Sequence, residues 1–370
     1  MFRIAVIPGD GIGPEVIGEG LKVLRTLEET DSLKLDTMQL DIGASRYLQT
    51  GKTLTDEDLD ILGKQDAIYF GAVGDPRVKP GILERGIILS MRSHFDQYIN
   101  LRPVRSWGNL GRLKLTKPFN IVFFRENTED FYLGAGGVIS KKNQEIPIAI
   151  ERSLYRLDLN LTAFYTGDDD FAFEIGILSR RGVRRFAEYA VNYAKAQGQS
   201  KITVVDKANV CTSLYGLWRE VFSSVAEENG IDIDYVYVDA MSQALIRNPE
   251  KFHVVATPNM FGDILTDLGA EIQGSLGLAA SGNINPKGVS MFEPVHGSAP
   301  DIAGRGIANP IGAILAAKLM LEHLGCREIA RRVEEAVEQT IEKGIVTPDL
   351  GGRSTTKEVG DAIVDYLVKH

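Results

Sequence analysis

The stretch Phe2-Arg3-Ile4-Ala5-Val6-Ile7-Pro8-Gly9-Asp10-Gly11-Ile12-Gly13-Pro14-Glu15 decides the fold class. Residues 2–7 form an apolar run of strand length ended by Pro8-Gly9, and residues 14–27 read as a helix with Pro14 at its start. Glycines between a strand and a helix invite a Rossmann reading. That fingerprint needs Gly or Ala three positions after its second glycine, so that helix and strand can pack closely. Here the position holds Pro14, and the Rossmann reading fails on it. What stands is a tight glycine turn that leads a buried strand into a helix.

The same apolar signature recurs outward along the chain: at 67–70, closed by Gly71, and at 120–124, 202–206 and 252–256. Between these runs Val183, Phe186, Ala187 and Ala190 fall on one helical face, with Ser179 placed to cap that helix and Gly198 to end it. Residues 309–370 read as helices, Pro310 opening one and Gly325 closing it. Such alternation predicts an α/β architecture. The segment 134–178 holds short β-like runs and the acidic cluster Asp168-Asp169-Asp170, and is expected to leave the main sheet. There is no internal repeat and no Pro- or Gly-rich linker, so the domains are expected to share a sheet or exchange strands.

At 370 residues the chain is long enough for two or three domains and needs no disulfide or metal staple. Hydrophobic residues at 44% and charged ones at 25% are ordinary soluble-globular proportions. Lys+Arg 41 against Asp+Glu 50 gives a net charge of −9, which argues against a nucleic-acid partner. Cys211 and Cys326 are too few and too far apart for a disulfide framework or a Cys-based metal site. No apolar stretch is long enough to span a membrane, and the N-terminus lacks a signal-peptide pattern. A cytoplasmic protein with no membrane partner is expected, which makes the sequon Asn160-Leu161-Thr162 a chance match.

Several residues could carry chemistry. Arg92, Arg102 and Arg125 would suit a dicarboxylate if they converge, because each guanidinium can grip a carboxylate bidentately. Arg102 is held extended by Pro103, and Arg125 directly follows the apolar run 120–124. Spacing alone reads equally as solvated or salt-bridged arginines. In Asn259-Met260-Phe261-Gly262-Asp263-Ile264-Leu265-Thr266-Asp267, the two aspartates share a face if the segment is helical. An oxygen-only pair without His or Cys suits Mg²⁺ or Mn²⁺, although carboxylates near a helix start are the plainer reading. Lys207 ends the run 202–206, where desolvation would make it a base and snorkelling would not. Tyr132 is ambiguous by itself. The run from Phe292 to Gly304 has too much Gly and Pro for helix or strand, and a long ordered loop of this kind is usually functional. The histidines at 94, 253, 296, 323 and 370 suggest no nucleophilic set.

Taken together, the strings GDGIGPE (9–15), NLRP (100–103), RENTED (125–130), DKAN (206–209), NMFGDILTD (259–267), EPVHGSAPDIAG (293–304) and TPDLGG (347–352) resemble the isocitrate and isopropylmalate dehydrogenase family over essentially the whole chain. The resemblance implies a two-domain α/β fold distinct from the Rossmann fold, with a cleft between domains. One domain would comprise 1–97 and 275–370. The other, 98–274, would dimerise and project an arm near 134–178 that looks longer than most relatives need. It further implies that Arg92, Arg102 and Arg125 hold the carboxylates of a malate, and that Asp239, Asp263 and Asp267 bind Mg²⁺ or Mn²⁺. Asp239 would also face the substrate. Lys207 would be the base at the 2-hydroxyl and Tyr132 the proton donor to the enolate carbon. Lys207 and one metal aspartate would come from the other subunit of a homodimer. Ala72, Val73, Gly74, Asn209, Glu293, His296, Gly297, Ser298, Ala299, Asp301 and Asn309 would line the nucleotide groove. Asp301 stands where relatives that read a 2′-phosphate carry Lys, so the resemblance implies NAD.

Specificity in the family resides on the helix before Arg92. Isocitrate-type members place Ser and Asn where this chain has Gly86 and Ile88, and homoisocitrate-type members can place Arg where it has Leu89. The aliphatic Ile88 and Leu89 imply a 3-alkylmalate, 3-isopropylmalate first, with oxidative decarboxylation in leucine biosynthesis. Two features depart from many isopropylmalate enzymes: Arg85, and Asn127-Thr128-Glu129-Asp130. The run Phe95–Arg105 resembles the D-malate and tartrate dehydrogenases instead, which form the runner-up. A non-catalytic nucleotide- or carboxylate-binding protein is the alternative from another class; its expected sign, loss of Lys207, Tyr132 or a metal aspartate, is not seen.

Overall fold

The computed structural model describes residues 1–108, 110 and 117–370. Strands β1 (Phe2–Gly9), β2 (Leu35–Gln39), β3 (Ala67–Ala72), β4 (Ile99–Arg105), β5 (Asn120–Glu126), β6 (Gly136–Ile139), β7 (Asn143–Arg152), β8 (Tyr155–Phe164) and β9 (Phe171–Glu174) occupy the first half. Strands β10 (Lys201–Asp206), β11 (Asp232–Tyr237), β12 (Val254–Thr257), β13 (Ala280–Ile284) and β14 (Ser290–Pro294) follow. Helices α1 (Gly13–Thr30), α2 (Ala44–Thr50), α3 (Asp56–Leu62), α4 (Ser90–His94), α5 (Arg180–Ala196) and α6 (Thr212–Asn229) alternate with them. The set is completed by α7 (Val238–Arg247), α8 (Asn259–Gln273), α9 (Ile311–His323), α10 (Arg327–Glu342) and α11 (Thr356–Lys369).

One ten-stranded sheet runs in the order β11-β10-β12-β5-β4-β13-β14-β3-β1-β2. The strands at both ends pair in parallel, whereas β13 is antiparallel to both β4 and β14. The two chain ends thus build one flank, the middle of the chain builds the other, and β13 joins them. A shared sheet was expected, and it is found. Strands β3, β12 and β14 are buried along their whole length, as suits strands covered on both faces.

The opening turn has a steric origin. Gly9 adopts φ +72°, and a Cβ there would stand 1.9 Å from the carbonyl oxygen of Ala72; at Gly13 it would stand 2.2 Å from that of Pro8. Asp10 completes the knot by accepting hydrogen bonds from the amides of Ala44 (2.8 Å) and Gly74 (3.1 Å). Pro14 lies in the first turn of α1. Ser179 caps α5 by accepting from the Gly182 amide, and Gly198 (φ +70°) follows its end, as the pattern predicts.

Residues 134–178 do leave the main sheet. β6 pairs with β9 and β7 with β8, each as a separate antiparallel ribbon. Asp130 anchors the root: its amide donates to Ile177 O (2.8 Å), while its carboxylate accepts from Tyr215 Oη (3.1 Å) and the Met260 amide (2.9 Å). Three sequence readings need correction. The strand read as 67–70 continues through Gly71 to Ala72. Phe292, Glu293 and Pro294 belong to β14 and not to the loop. Strand β5 extends to Glu126, so Arg125 lies inside it and is buried by sheet neighbours on both sides.

Candidate active site

Arg102 on β4 and Arg125 on β5 share a face, because Arg125 pairs directly with Asn100, two residues before Arg102. Arg102 donates from Nε to Asn100 Oδ1 (2.7 Å) and from Nη1 to Thr266 Oγ1 (2.7 Å). Arg125 donates from Nε to Asn259 Oδ1 (2.9 Å) and from Nη1 to Asp263 Oδ1. Asn259, Asp263, Thr266 and Asp267 all belong to α8, so one helix supplies acceptors to both arginines. Arg92 reaches in from α4, where Nη2 donates to Glu293 Oε1 on β14 (3.1 Å) and Nε is buried without a partner. The three guanidiniums are close enough to act on one another: burial pushes Arg125 down from its ordinary value, and the charges of Arg102 and Arg92 add to that.

Asp263 sits among these cations. Burial works against its charge, but Arg125 and then Arg102 overcome this and hold its carboxyl below the usual carboxylate range. Asp267, one turn on and 3.7 Å from Arg102, is pushed up by burial, with Asp263 adding to the rise. Tyr132 donates to Asp263 Oδ2 (2.9 Å), and burial followed by the Asp263 charge raises its phenol. A buried amide network links these groups: Asn100 Nδ2 and Asn127 Nδ2 both donate to Asn283 Oδ1 (2.8 and 3.0 Å), and Asn283 Nδ2 donates to Glu293 (2.7 Å).

A cavity of about 310 Å³ opens beside Arg92 and Tyr132, with Leu89, Thr128, Leu133 and Arg152 in its wall. Leu89 faces it, as the sequence suggested, whereas Ile88 packs against the core cluster that holds Ile87 and Met91. The helix carrying both is unusual. Residues Glu84–Leu89 follow the wide i→i+5 hydrogen bonding of a π-helix before α4 begins.

Lys207 and Asp239 are found together but apart from this group. They follow the neighbouring strands β10 and β11, and Lys207 Nζ pairs with Asp239 Oδ1. Lys207 is therefore ion-paired and part-exposed, the snorkelling alternative of the two that its place after an apolar strand left open. Among the described residues no three His, Cys, Asp or Glu side chains of the single chain gather as a metal cluster.

On the other side of Glu293, the loop after β14 runs beside the end of β3. The Ile12 amide donates to Ser298 O (2.8 Å), and a Cβ on Gly74 would stand 2.8 Å from Ser298 Oγ. His296 presents a buried Nε2 with no partner, and its ring is pushed down from its ordinary value by burial. Gly297 faces open space, Ala299 holds φ +39°, and the exposed Asp301 carboxylate has no partner among the described residues. Asn309 binds Asp349 (3.0 Å) and accepts from the Ile311 amide (3.0 Å). Ala72, Val73, Gly74, Glu293, His296, Gly297, Ser298, Ala299, Asp301 and Asn309 thus lie on β3, β14 and the segments that follow them; Asn209 does not join them and sits exposed beside Lys207. Sequence reading missed Asn100, Asn127, Thr128, Arg152, Asn283 and Thr266. Asn100 and Asn283 lie on β4 and β13, strands that their sequences do not announce, so their polarity alone gave no signal.

Fold and site together define an α/β protein with a cationic pocket, backed by an acidic helix, beside a glycine-rich loop. The chain belongs to the isocitrate/isopropylmalate dehydrogenase family, whose sequence model matches residues 3–363. It is 44% identical to the 3-isopropylmalate dehydrogenase of Streptomyces coelicolor over 98% of this chain and 97% of that one. It is 43% identical to the enzyme of that name from Thermobifida fusca, over 99% and 98%. Among solved structures, isocitrate dehydrogenase from Methylococcus capsulatus superposes with a TM-score of 0.85 at 34% identity, covering 99% of both chains. A β-decarboxylating dehydrogenase from Thermococcus kodakarensis gives 0.74 at 35% identity, over 100% and 97%.

Proposed function

We propose that this protein is an NAD- and divalent-metal-dependent dehydrogenase that converts 3-isopropylmalate to 4-methyl-2-oxopentanoate and CO₂, as in leucine biosynthesis. The observation that carries the reading is identity of 42–45% to 3-isopropylmalate dehydrogenases over nearly the whole chain. Arg92, Arg102 and Arg125 hold the malate carboxylates, with charge-assisted hydrogen bonds of roughly 1.5–3 kcal/mol each. The unpartnered Arg92 Nε is one donor awaiting such an oxygen. Lys207 takes the 2-hydroxyl proton, Asp239 faces the substrate beside it, and Tyr132 delivers a proton to the enolate carbon after CO₂ has left.

Asp263 and Asp267 fit a hard cation: both are oxygen donors on one helical face, and their side chains stay 37% and 59% exposed. A bound Mg²⁺ or Mn²⁺ polarises the 2-oxo group and stabilises the charge that develops on decarboxylation. The third donor, Asp239, comes with Lys207 from a second copy of the chain, which makes the active unit a homodimer. In this reading 1–97 with 275–370 and 98–274 are the two domains. The orphaned His296 Nε2 and the open Gly297 suit a nucleotide, and an NAD⁺ held there would supply the acceptor for the hydride from C2. Asp301 receives the ribose hydroxyls and repels a 2′-phosphate, favouring NAD over NADP. The cytoplasm is the expected compartment.

D-malate or tartrate is the second reading. It is favoured by a cavity wall whose described residues include only Leu89 and Leu133 as aliphatic side chains larger than alanine, Ile88 being packed against the core. The test is NADH formation with Mg²⁺ or Mn²⁺ across 3-isopropylmalate, D-malate, tartrate, isocitrate and homoisocitrate. A tenfold lead in kcat/KM for 3-isopropylmalate, about 1.4 kcal/mol, supports the first reading. A lead for D-malate or tartrate replaces it with the second.

A further inference from the structure

The wall of the 310 Å³ cavity contains three cations, Arg85, Arg92 and Arg152, and no carboxylate. Two of them are engaged. Arg152 donates to the backbone oxygens of Thr128 (2.8 Å), Glu151 (2.8 Å) and Leu133 (3.5 Å). Arg92 is bound to Glu293. The exposed Arg85 guanidinium has no hydrogen-bond or ion-pair partner among the described residues. Its backbone explains its direction: the Arg85 carbonyl accepts from the amide and hydroxyl of Ser90, so the wide turn brings Arg85, Leu89 and Ser90 to one wall.

A dicarboxylate approaching this molecule meets a net charge of −9. Capture therefore needs a local positive field, and a concave wall lined by one sign of charge focuses it. Arg102 and Arg125 are poor sources, since neither lines the cavity and both are tied to Asp263. We propose that Arg85 is a further substrate-binding residue, the free cation that draws the dicarboxylate into the cavity ahead of the buried arginines. This rests on the proposed dehydrogenase reading and adds a residue to its site. The charge acts on binding, so its contribution falls on KM and not on kcat.

The same side chain also borders a second cavity of about 430 Å³, whose wall includes the exposed Glu174 of β9, without a hydrogen-bond or ion-pair partner for its side chain among the described residues. The experiment separates these possibilities. Kinetics of R85Q, R85K, R85E and E174Q are measured with 3-isopropylmalate and with NAD⁺ at low and high KCl. Expected is a rise in malate KM of about fivefold in R85Q at low salt, larger in R85E and largely reversed in R85K. With it, kcat and the KM for NAD⁺ stay within twofold, and the difference shrinks in high salt, where screening shortens the reach of exposed charges. A malate KM unchanged in R85Q overturns the proposal. So does an effect on NAD⁺ instead of malate, or an equal effect in E174Q, which would assign Arg85 to the arm. Wild-type protein inert toward every malate would overturn the dehydrogenase reading itself, an outcome distinct from active wild type with a silent R85Q.

Discussion

Tyr132 shows how much one side chain can be asked to do. Its phenol stays protonated because burial and Asp263 both raise its pKa, so a proton is available at neutral pH. Tyr132→Phe is expected to lower kcat by about 10²–10⁴-fold, the usual worth of a positioned acid, with little change in malate KM; a rate within threefold of wild type would remove Tyr132 from the mechanism. In the proposed reading, Leu89 governs selection. Leu89→Ala should cost 3-isopropylmalate roughly 1–3 kcal/mol in kcat/KM relative to D-malate, read as a ratio of the two substrates in one preparation. Asp263 also carries a pH signature. Its folded pKa is depressed, so the stability it contributes is present above the ordinary carboxylate range and is lost as pH falls below about 3.9 toward the folded value.

At the scale of elements, the turn from β1 into α1 and the end of β5 matter most. Gly9→Ala would place a methyl against the Ala72 carbonyl in a left-handed backbone, a loss of about 1–3 kcal/mol, visible as a lower denaturation midpoint. At the end of β5, Glu126 and Glu129 are buried together, and burial with the Glu129 charge pushes Glu126 up to about 8. A carboxyl with a raised folded pKa makes stability fall as pH rises, here from the ordinary glutamate range near 4.3 toward 8. Glu126→Gln should flatten that slope in thermal melts, while lowering stability throughout by about 1–3 kcal/mol because an amide would face the Thr128 and Glu129 amides. An unchanged slope would show that the pair is not its source.

Elements also differed in how readable they were. β14, buried throughout, was hidden in the Gly- and Pro-rich run that it opens, but strands β1, β3, β5 and β10 announced themselves as apolar runs because both faces are covered. β13 did not: Ala280-Ser281-Gly282-Asn283-Ile284 is small and polar, since a Cβ on Gly282 would already press on Phe292 at 3.0 Å and Asn283 serves the amide network. The arm was legible only as an excursion. Its alternating exposure follows from two separate ribbons, each with one covered face, and spacing does not reveal which run pairs with which. In the site, the arginines and aspartates were legible from their strings. The supporting Asn and Thr residues were not, because their roles depend on strand register and helix approach.

For the whole molecule, the separation of Lys207 and Asp239 from the arginine cluster predicts a second copy in the active unit. Ile264, 60% exposed on α8 next to Asp263, is a natural probe of that interface. Ile264→Glu should yield monomers by size-exclusion chromatography together with loss of turnover; an active monomer would show that one chain suffices. Mixing inactive Lys207→Met and Tyr132→Phe proteins after subunit exchange should restore part of the activity, because the hybrid contains one intact site.

The joining role of β13 and β14 also sets a schedule for biosynthesis. Strand β3 is complete once residue 72 has been made, yet its neighbour on one side is β14, residues 290–294. On a ribosome adding about 5–20 residues per second, that edge of an apolar strand waits on the order of ten to forty seconds for its partner. During this interval the nascent N-terminal segment presents an unsatisfied ladder of amides and carbonyls to its crowded surroundings. Holding such an edge apart from other chains is a task for folding helpers, and it ends only when the last quarter of the polypeptide emerges.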